Sequence, residues 1–246
     1  DGRVDMKDLT FIAPFIGQSG SERNNSNQNN YWVGQDAADW DISSNNINMK
    51  YGDGDGDGLI LAKDITMMNK FYRNLHGLYV KKGVNSPFLP FNLKSDKDVY
   101  EPGDSITMTF SIGSEGTPVL NLSAFTASLN FSEAFNDQSL TTNFKENHWL
   151  GEGDKMLQMA KKPIVRNIDL GAGRISGTGT AGYGDIAIIK GIVDDELDGF
   201  RSDDGIFYAR VQLNDATLVI DGCTELRTGQ QIFEFPIKVQ KKKITE

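Results

Sequence analysis

The chain has little of what redox and zinc chemistry require. It holds one cysteine, Cys223, in 246 residues, which excludes an internal disulfide, a cysteine-rich zinc site and a CxxC redox pair. It holds two histidines, His76 and His148, too few for a three-histidine catalytic zinc site. No stretch approaches the roughly 18 consecutive apolar residues of a membrane-spanning helix. Basic residues are in deficit, Lys+Arg 25 against Asp+Glu 34 for a net charge of -9, whereas phosphate-backbone binding wants clustered cations. We therefore expect no nucleic acid partner and no membrane insertion. What remains, 38% apolar and 24% charged, is the composition of an ordinary soluble globular protein, long enough for one or two packed domains. With neither an initiator Met nor a signal peptide, the chain reads as a fragment or a mature piece.

The strongest positive signal is Tyr51-Gly52-Asp53-Gly54-Asp55-Gly56-Asp57-Gly58-Leu59-Ile60-Leu61-Ala62-Lys63-Asp64. Calcium is a hard cation that takes six to eight oxygens. Asp53, Asp55 and Asp57 stand at loop positions 1, 3 and 5, and Gly58 at position 6 permits the sharp positive-φ turn. Leu59 offers its backbone carbonyl at position 7, Ile60 tucks under the loop at position 8, and Asp64 at position 12 is the closing bidentate acid. Asp replaces the usual Glu there, and Leu61 at position 9 supplies no side-chain oxygen. Carboxylates alternating this closely repel one another unless a cation neutralises them, so we expect calcium at Asp53, Asp55, Asp57, Leu59 and Asp64.

The first residues fit the second half of the same template. Asp1 falls at position 5, Gly2 at 6, Arg3 at 7 through its carbonyl, Val4 at 8, Asp5 at 9 and Asp8 at 12. This adds Asp1, Arg3 and Asp8 as candidate ligands of a truncated second site. Val4 and Ile60 become equivalent, and position 8 is expected to pair with its sister loop. Helical text follows each loop, over 9–16 and over 65–75, where Ile65, Met68, Tyr72 and Leu75 recur at helical spacing. A calcium loop followed by a helix, twice, is an internal repeat. It resembles the dockerin family, specifically at 53–64 and partially at 1–8. The resemblance implies two loop-helix units packed with pseudo-twofold symmetry, each binding one calcium, with helices that dock a cohesin partner. The long connection between the loops departs from that family.

Residues 19–30 of the connection are Asn/Ser-rich and read as an exposed loop. Trp32 and Trp40 then frame Tyr31-Trp32-Val33-Gly34-Gln35-Asp36-Ala37-Ala38-Asp39-Trp40-Asp41-Ile42. They are expected to cover the paired helices as a small core; the alternative is stacking on sugar rings. Together with the calcium loop, this stretch resembles a module of large secreted bacterial surface proteins.

Beyond Gly83-Val84-Asn85-Ser86-Pro87 the pattern turns to short β-type runs. Expected strands cover 105–112, 124–131, 185–193, 206–213, 216–220 and 232–239, the first after a Pro102-Gly103-Asp104 turn. Such spacing points to an antiparallel sandwich. Val99-Tyr100-Glu101-Pro102-Gly103-Asp104-Ser105-Ile106, Phe125-Thr126-Ala127-Ser128-Leu129-Asn130-Phe131 and the strand after Ile186 resemble a cohesin-like or immunoglobulin-like domain over about 88–239. That implies a protein-binding or spacer role and brings no catalytic residue.

Other chemistry is weakly encoded. Gly177-Thr178-Gly179-Thr180-Ala181-Gly182 matches G-x-G-x-x-G but runs into strand text, not the helix a dinucleotide site needs. Asp194-Asp195-Glu196-Leu197-Asp198 with Asp203-Asp204 reads as a solvated acidic loop, His148 as buried or stacked, Cys223 as a small semi-buried residue, and 241–246 as a linker or tail. The expected fold class is α+β in two parts: a dockerin-like calcium unit over 1–85 and a mainly antiparallel β-sandwich over 86–240. The expected function is a non-enzymatic, calcium-binding scaffold, adhesion or anchoring module, extracellular or at the cell surface, with another protein domain in cis or trans as partner. The alternative is a carbohydrate-binding or accessory region of a secreted polysaccharide-degrading enzyme.

Overall fold

The computed structural model describes residues 2–23, 35–44, 47–75, 84–87, 90–197, 199–222 and 224–241. The first element is α1 (Met6–Ile12), opened by a capping box in which Asp5 accepts from Lys7 N and Asp8 accepts from Asp5 N. Pro14 lacks the amide that would continue the helix, and the chain passes into a 3-10 turn, Ala13–Phe15. The helix therefore lies earlier than the expected 9–16. A two-stranded hairpin, β1 (Ser43–Ser44) with β2 (Ile47–Asn48), and a 3-10 turn, Met49–Tyr51, lead to the loop of 53–64. Next comes α2 (Asp64–Lys70), shorter than the expected 65–75. It stops because the chain turns at Phe71 and Arg73 takes a left-handed φ of 69°.

A small core of Ile12, Trp40, Met49 and Ile60 fastens this segment, with the Trp40 indole donating to Ser21 O at 3.1 Å. Trp40 thus sits where a small core was expected, while Trp32 lies outside the described residues. The expected pairing of Val4 with Ile60 is not what forms. Residues 17–20 return after α1 and run antiparallel to the loop, so that Ile60 N donates to Gln18 O and Gly17 N to Ile60 O. Val4 instead exchanges backbone bonds with Arg73 and Asn74. The loop's backbone edge is already taken, and the pseudo-twofold pairing of two loops is replaced by two short helices set against a sheet.

The remainder is a β-sandwich. Its strands are β3 (Val84–Ser86), β4 (Phe91–Ser95), β5 (Ser105–Ile112), β6 (Val119–Phe131), β7 (Thr141–Phe144) and β8 (Met156–Lys161). They continue with β9 (Asn167–Arg174), β10 (Thr180–Gly182), β11 (Gly184–Ile192), β12 (Arg201–Ser202), β13 (Ile206–Ile220), β14 (Thr224–Thr228), β15 (Gln231–Lys238) and β16 (Gln240–Lys241). One sheet runs β3-β14-β13-β6-β9-β8, with β10 added to β6 and β15 to β13; the other runs β4-β5-β11-β7. Pairing is antiparallel throughout both sheets except β14 with β3. Between them lies the main core, where Phe91, Phe110 and Phe125 lie ring to ring and Phe135 meets Phe131 and Phe235 edge-on. The segments expected at 206–213 and 216–220 are one strand, β13, carried past Asp215 (φ 45°) by a register shift.

Strand β9 shows how the two parts join. Its inward residues Ile168, Leu170 and Ala172 fill the sandwich core, and its other face presents Asn167, Asp169, Gly171 and Gly173. Every residue of β9 is buried, because α1 and its 3-10 turn lie across that second face. A Cβ on Gly173 would stand 2.8 Å from the Ala13 Cβ; one on Gly171 would meet the flexible Met6 side chain, with Sδ at 3.0 Å. Leu9, Ile65 and Met68 complete the seam against Leu157 and Met159 of β8.

Gly173→Ala should therefore destabilise the protein by about 1–3 kcal/mol, since backbone-fixed Ala13 must move. Gly171→Ala should cost less, because Met6 Sδ can rotate away, its fixed Cβ stands farther off at 3.2 Å than the Ala13 Cβ at 2.8 Å, and a strand glycine is itself unfavourable. Urea midpoints of the two variants check this, and equal losses would contradict it.

Candidate metal centre

The loop of 53–64 is shaped by its own amides. Asp53 Oδ1 accepts from Gly56 N at 2.6 Å and Asp53 Oδ2 from Gly58 N at 3.0 Å. Gly56 and Gly58 take φ of 82° and 79°, a region where a side chain would be strained. From the far end Asp64 Oδ1 accepts from Gly54 N at 2.7 Å and Asp55 N at 3.2 Å, and Asp64 Oδ2 from Leu61 N at 2.7 Å. One carboxylate closes the loop and begins α2.

These bonds leave Asp53, Asp55 and Asp57 each offering a carboxylate oxygen, all within 4.8 Å of one another; among the described residues this is the one such cluster of potential ligands. The loop's bridge to residues 17–20 runs through Gly58 O, Ile60 N and Ile60 O, and none of its bonds uses the Leu59 carbonyl. Three converging carboxylates, with Asp64 bonded to the Gly54 and Asp55 amides beside them, make a hard oxygen donor set, which fits calcium and does not fit a soft metal.

The electrostatics are those of crowded acids. Burial pushes the Asp53 carboxyl above its ordinary range against the pull of the Gly58 and Gly56 amides, and the Asp64 charge adds to the rise. Burial raises Asp64 likewise, with Asp55 adding to it. Two side-chain cations lie against the loop. Arg23 Nη2 donates to Gly54 O at 2.8 Å and Asp53 O at 3.3 Å. Lys63 Nζ bridges Asp55 Oδ2, at 3.2 Å, and Asp57 Oδ2, and its hydrogen bond holds Asp57 below the usual carboxylate range. Neither cation was among the residues singled out from the sequence. Lys63 at position 11 was legible only as a loop residue, and Arg23 is brought in by the return of 17–23 along the loop.

The N-terminal candidates lie elsewhere. Asp1 is outside the described residues. Arg3 forms a backbone bridge with Leu75, and its Nε stands 3.8 Å from Asp5 Oδ2. Asp8 Oδ2 accepts from Asp5 N at 2.8 Å, the same position-12 to position-9 bond that Asp64 makes with Leu61 N. Burial, with Asp5 nearby, pushes Asp8 up to about 6.

Beside α1 is a site the sequence did not announce. Asp169 on β9 is 5% exposed. It accepts from the Tyr72 hydroxyl at 3.0 Å, Arg73 Nη2 at 3.3 Å and Ser128 Oγ at 2.6 Å. Arg73 Nη2 also donates to Asn167 Oδ1 at 2.9 Å.

Residues 177–182 run into β10 and β11, with no helix following. His148 is 6% exposed and its pKa is lowered by burial. Cys223 and Asp198 lie outside the described residues. Trp149 is half-buried with its ring against Gly182. No helix among the described residues is long and apolar enough to cross a membrane.

The fold and loop together define a two-sheet sandwich carrying an acidic loop-helix unit on one face. No protein-family model matches the chain, and no curated protein does. Solved cohesin modules are similar in fold. The cohesin-dockerin complex Coh-OlpC-Doc435 from Clostridium thermocellum matches at 8% identity and a TM-score of 0.45, over 67% of this chain and 100% of that one. The type II cohesin A11 from Bacteroides cellulosolvens matches at 12% and 0.43, over 60% and 99%. The cohesin module of a family 33 glycoside hydrolase from Clostridium perfringens matches at 10% and 0.39, over 61% and 98%.

Asp8 gives a pH test. Its folded pKa lies above the ordinary value of 3.8, so the folded state binds the proton more tightly. This group's contribution is therefore fully present at low pH and is lost as pH rises through about 6. Asp8→Asn keeps the acceptor for Asp5 N and removes the ionisation. It should stabilise the protein by about 1–2 kcal/mol at pH 7.5 and by little near pH 4, read from denaturation midpoints across that range. Equal effects at both pH values would contradict the assignment.

Proposed function

We propose that this chain is a non-catalytic, calcium-stabilised β-sandwich module of an extracellular or cell-surface protein, serving as a scaffold or protein-anchoring segment. The observation that carries the reading is the convergence of Asp53, Asp55 and Asp57 within 4.8 Å, with Asp64 closing the loop from the first turn of α2. Asp53, Asp55, Asp57 and Asp64 would hold calcium through their carboxylates and Leu59 through its carbonyl. The ion would neutralise acids that burial and mutual repulsion otherwise disfavour. Its binding free energy would add to folding free energy, in a chain whose single cysteine excludes an internal disulfide. Calcium at millimolar concentration outside cells keeps a site of this type filled. The protein partner of the anchoring role would meet the sandwich or the helical unit. The carbohydrate alternative finds no support in the described tryptophans, since Trp40 is buried and Trp149 half-buried in packed cores.

Calcium added after chelation should raise the melting temperature. Saturation at a hundred times Kd is worth about 2.7 kcal/mol, or roughly 5–10 °C for a domain of this size. Asp53→Ala should abolish the rise, and no rise in the unaltered protein would overturn the calcium reading. Because calcium must displace the Lys63 ammonium from Asp55 and Asp57, Lys63→Gln should tighten calcium binding about three- to tenfold, read by calorimetric titration. An unchanged or weaker Kd would show that the lysine does not compete.

A further inference from the structure

The loop and the sheet are joined by one short element. Asp64 is both the closing carboxylate of the loop and the first residue of α2, whose N-cap Lys63 makes no side-chain capping bond. A helix of seven residues has no stability of its own in water, so the start of α2 is held by the bonds that Asp64 receives from Gly54, Asp55 and Leu61. Its far end is held by the sheet. Just beyond Lys70, Tyr72 and Arg73 grip Asp169. Arg73 does so from a left-handed backbone, φ 69°, a conformation that is strained for a side-chain-bearing residue and persists only where surrounding contacts impose it. Ile65 and Met68 of α2 share one apolar cluster with Leu9 of α1 and Leu157 and Met159 of β8.

From this we propose that calcium occupancy of the 53–64 loop and docking of the helical unit on the sheet are a single coupled equilibrium, with Tyr72 and Arg73 on Asp169 as its clasp. The inference rests on the calcium reading above and adds to it a regulated contact. With the ion bound, the loop acids are neutralised, Asp64 fixes the first turn of α2, and Tyr72 and Arg73 are presented to Asp169. Without it, repulsion among Asp53, Asp55, Asp57 and Asp64 loosens that turn and the clasp residues lose their alignment. Asp169 then keeps only Ser128 among these three partners, an expensive state for a buried carboxylate. The seam opens where Ile65 and Met68 of α2 pack on Leu157 and Met159 of β8. Calcium would thus decide whether α2 stays packed on the edge of the sheet at β8. Linkage is reciprocal: docking strengthens calcium binding by the factor by which calcium strengthens docking, so losing the clasp weakens calcium binding.

The test is calorimetric titration of the intact, chelator-treated chain with calcium alone, comparing the unaltered protein with Asp169→Asn, Tyr72→Phe and Glu234→Gln. Tyr72→Phe removes one hydrogen bond and keeps the ring, so it reads the clasp even where Asp169→Asn fails to fold. Glu234→Gln alters the exposed pair with Arg210, away from clasp and loop. The clasp variants should bind calcium more weakly, Asp169→Asn by roughly five- to thirtyfold and Tyr72→Phe by less, while Glu234→Gln leaves Kd unchanged. In the unaltered protein, chelation should speed hydrogen exchange in α2 and β8 together. Calcium binding of undiminished affinity in both clasp variants would overturn the coupling and leave the calcium reading standing. No calcium binding in the unaltered protein would overturn both.

Discussion

Both faces of β9 must be covered, and much of the architecture follows from that constraint. Ile168, Leu170 and Ala172 point into the sandwich, while Asp169, Gly171 and Gly173 point at a helix. Glycine there lets α1 approach until Ala13 nearly touches the strand, which excludes water from the seam and leaves Asp169 buried. A buried carboxylate must be partnered, and the partners are Tyr72, Arg73 and Ser128. The close helix-sheet approach therefore requires the clasp, and the clasp requires α2 to end where it does.

The second organising force is repulsion. Part of the acid surplus of 34 over 25 lies where it is hardest to tolerate, in a loop whose amides already bond Asp53 and Asp64. Lys63 and Arg23 relieve part of it from the side. Asp64 closes the loop by accepting three amide bonds and is also the first residue of α2, so loop and helix share one anchoring side chain. Asp8 makes the same bond to its own loop backbone and is likewise pushed up by burial, so the two loop segments share a local design while packing in different surroundings.

Much of the sandwich was legible in the sequence. The alternation of Ser105-Ile106-Thr107-Met108-Thr109-Phe110-Ser111-Ile112 places one face on a core, and β5 has those bounds. Strand β9 was not legible, because Gly171 and Gly173 are poor strand formers chosen for a helix that only tertiary packing brings there. Strand β13 read as two because Asn214-Asp215 is turn text; pairing with β6 carries the strand through. The helices were placed from periodicity, and their ends were shifted by Pro14 and by the left-handed turn at Arg73, which backbone bonds to Val4 hold from the other end of the unit.

By itself the sequence determined the local chemistry: the acid spacing of Asp53, Asp55, Asp57 and Asp64, the glycines that let the loop turn, and the exclusion of disulfide and multi-cysteine metal sites. These are matters of residue type within a dozen positions, where backbone geometry leaves few choices. Tertiary structure alone decided what that loop is attached to. Ile60 pairs with Gln18 and not with a sister loop, Trp40 is packed away, and the helices lie on β9 through Asp169. Each of those contacts joins residues far apart in the chain, and each depends on which faces remain uncovered once the two sheets have packed.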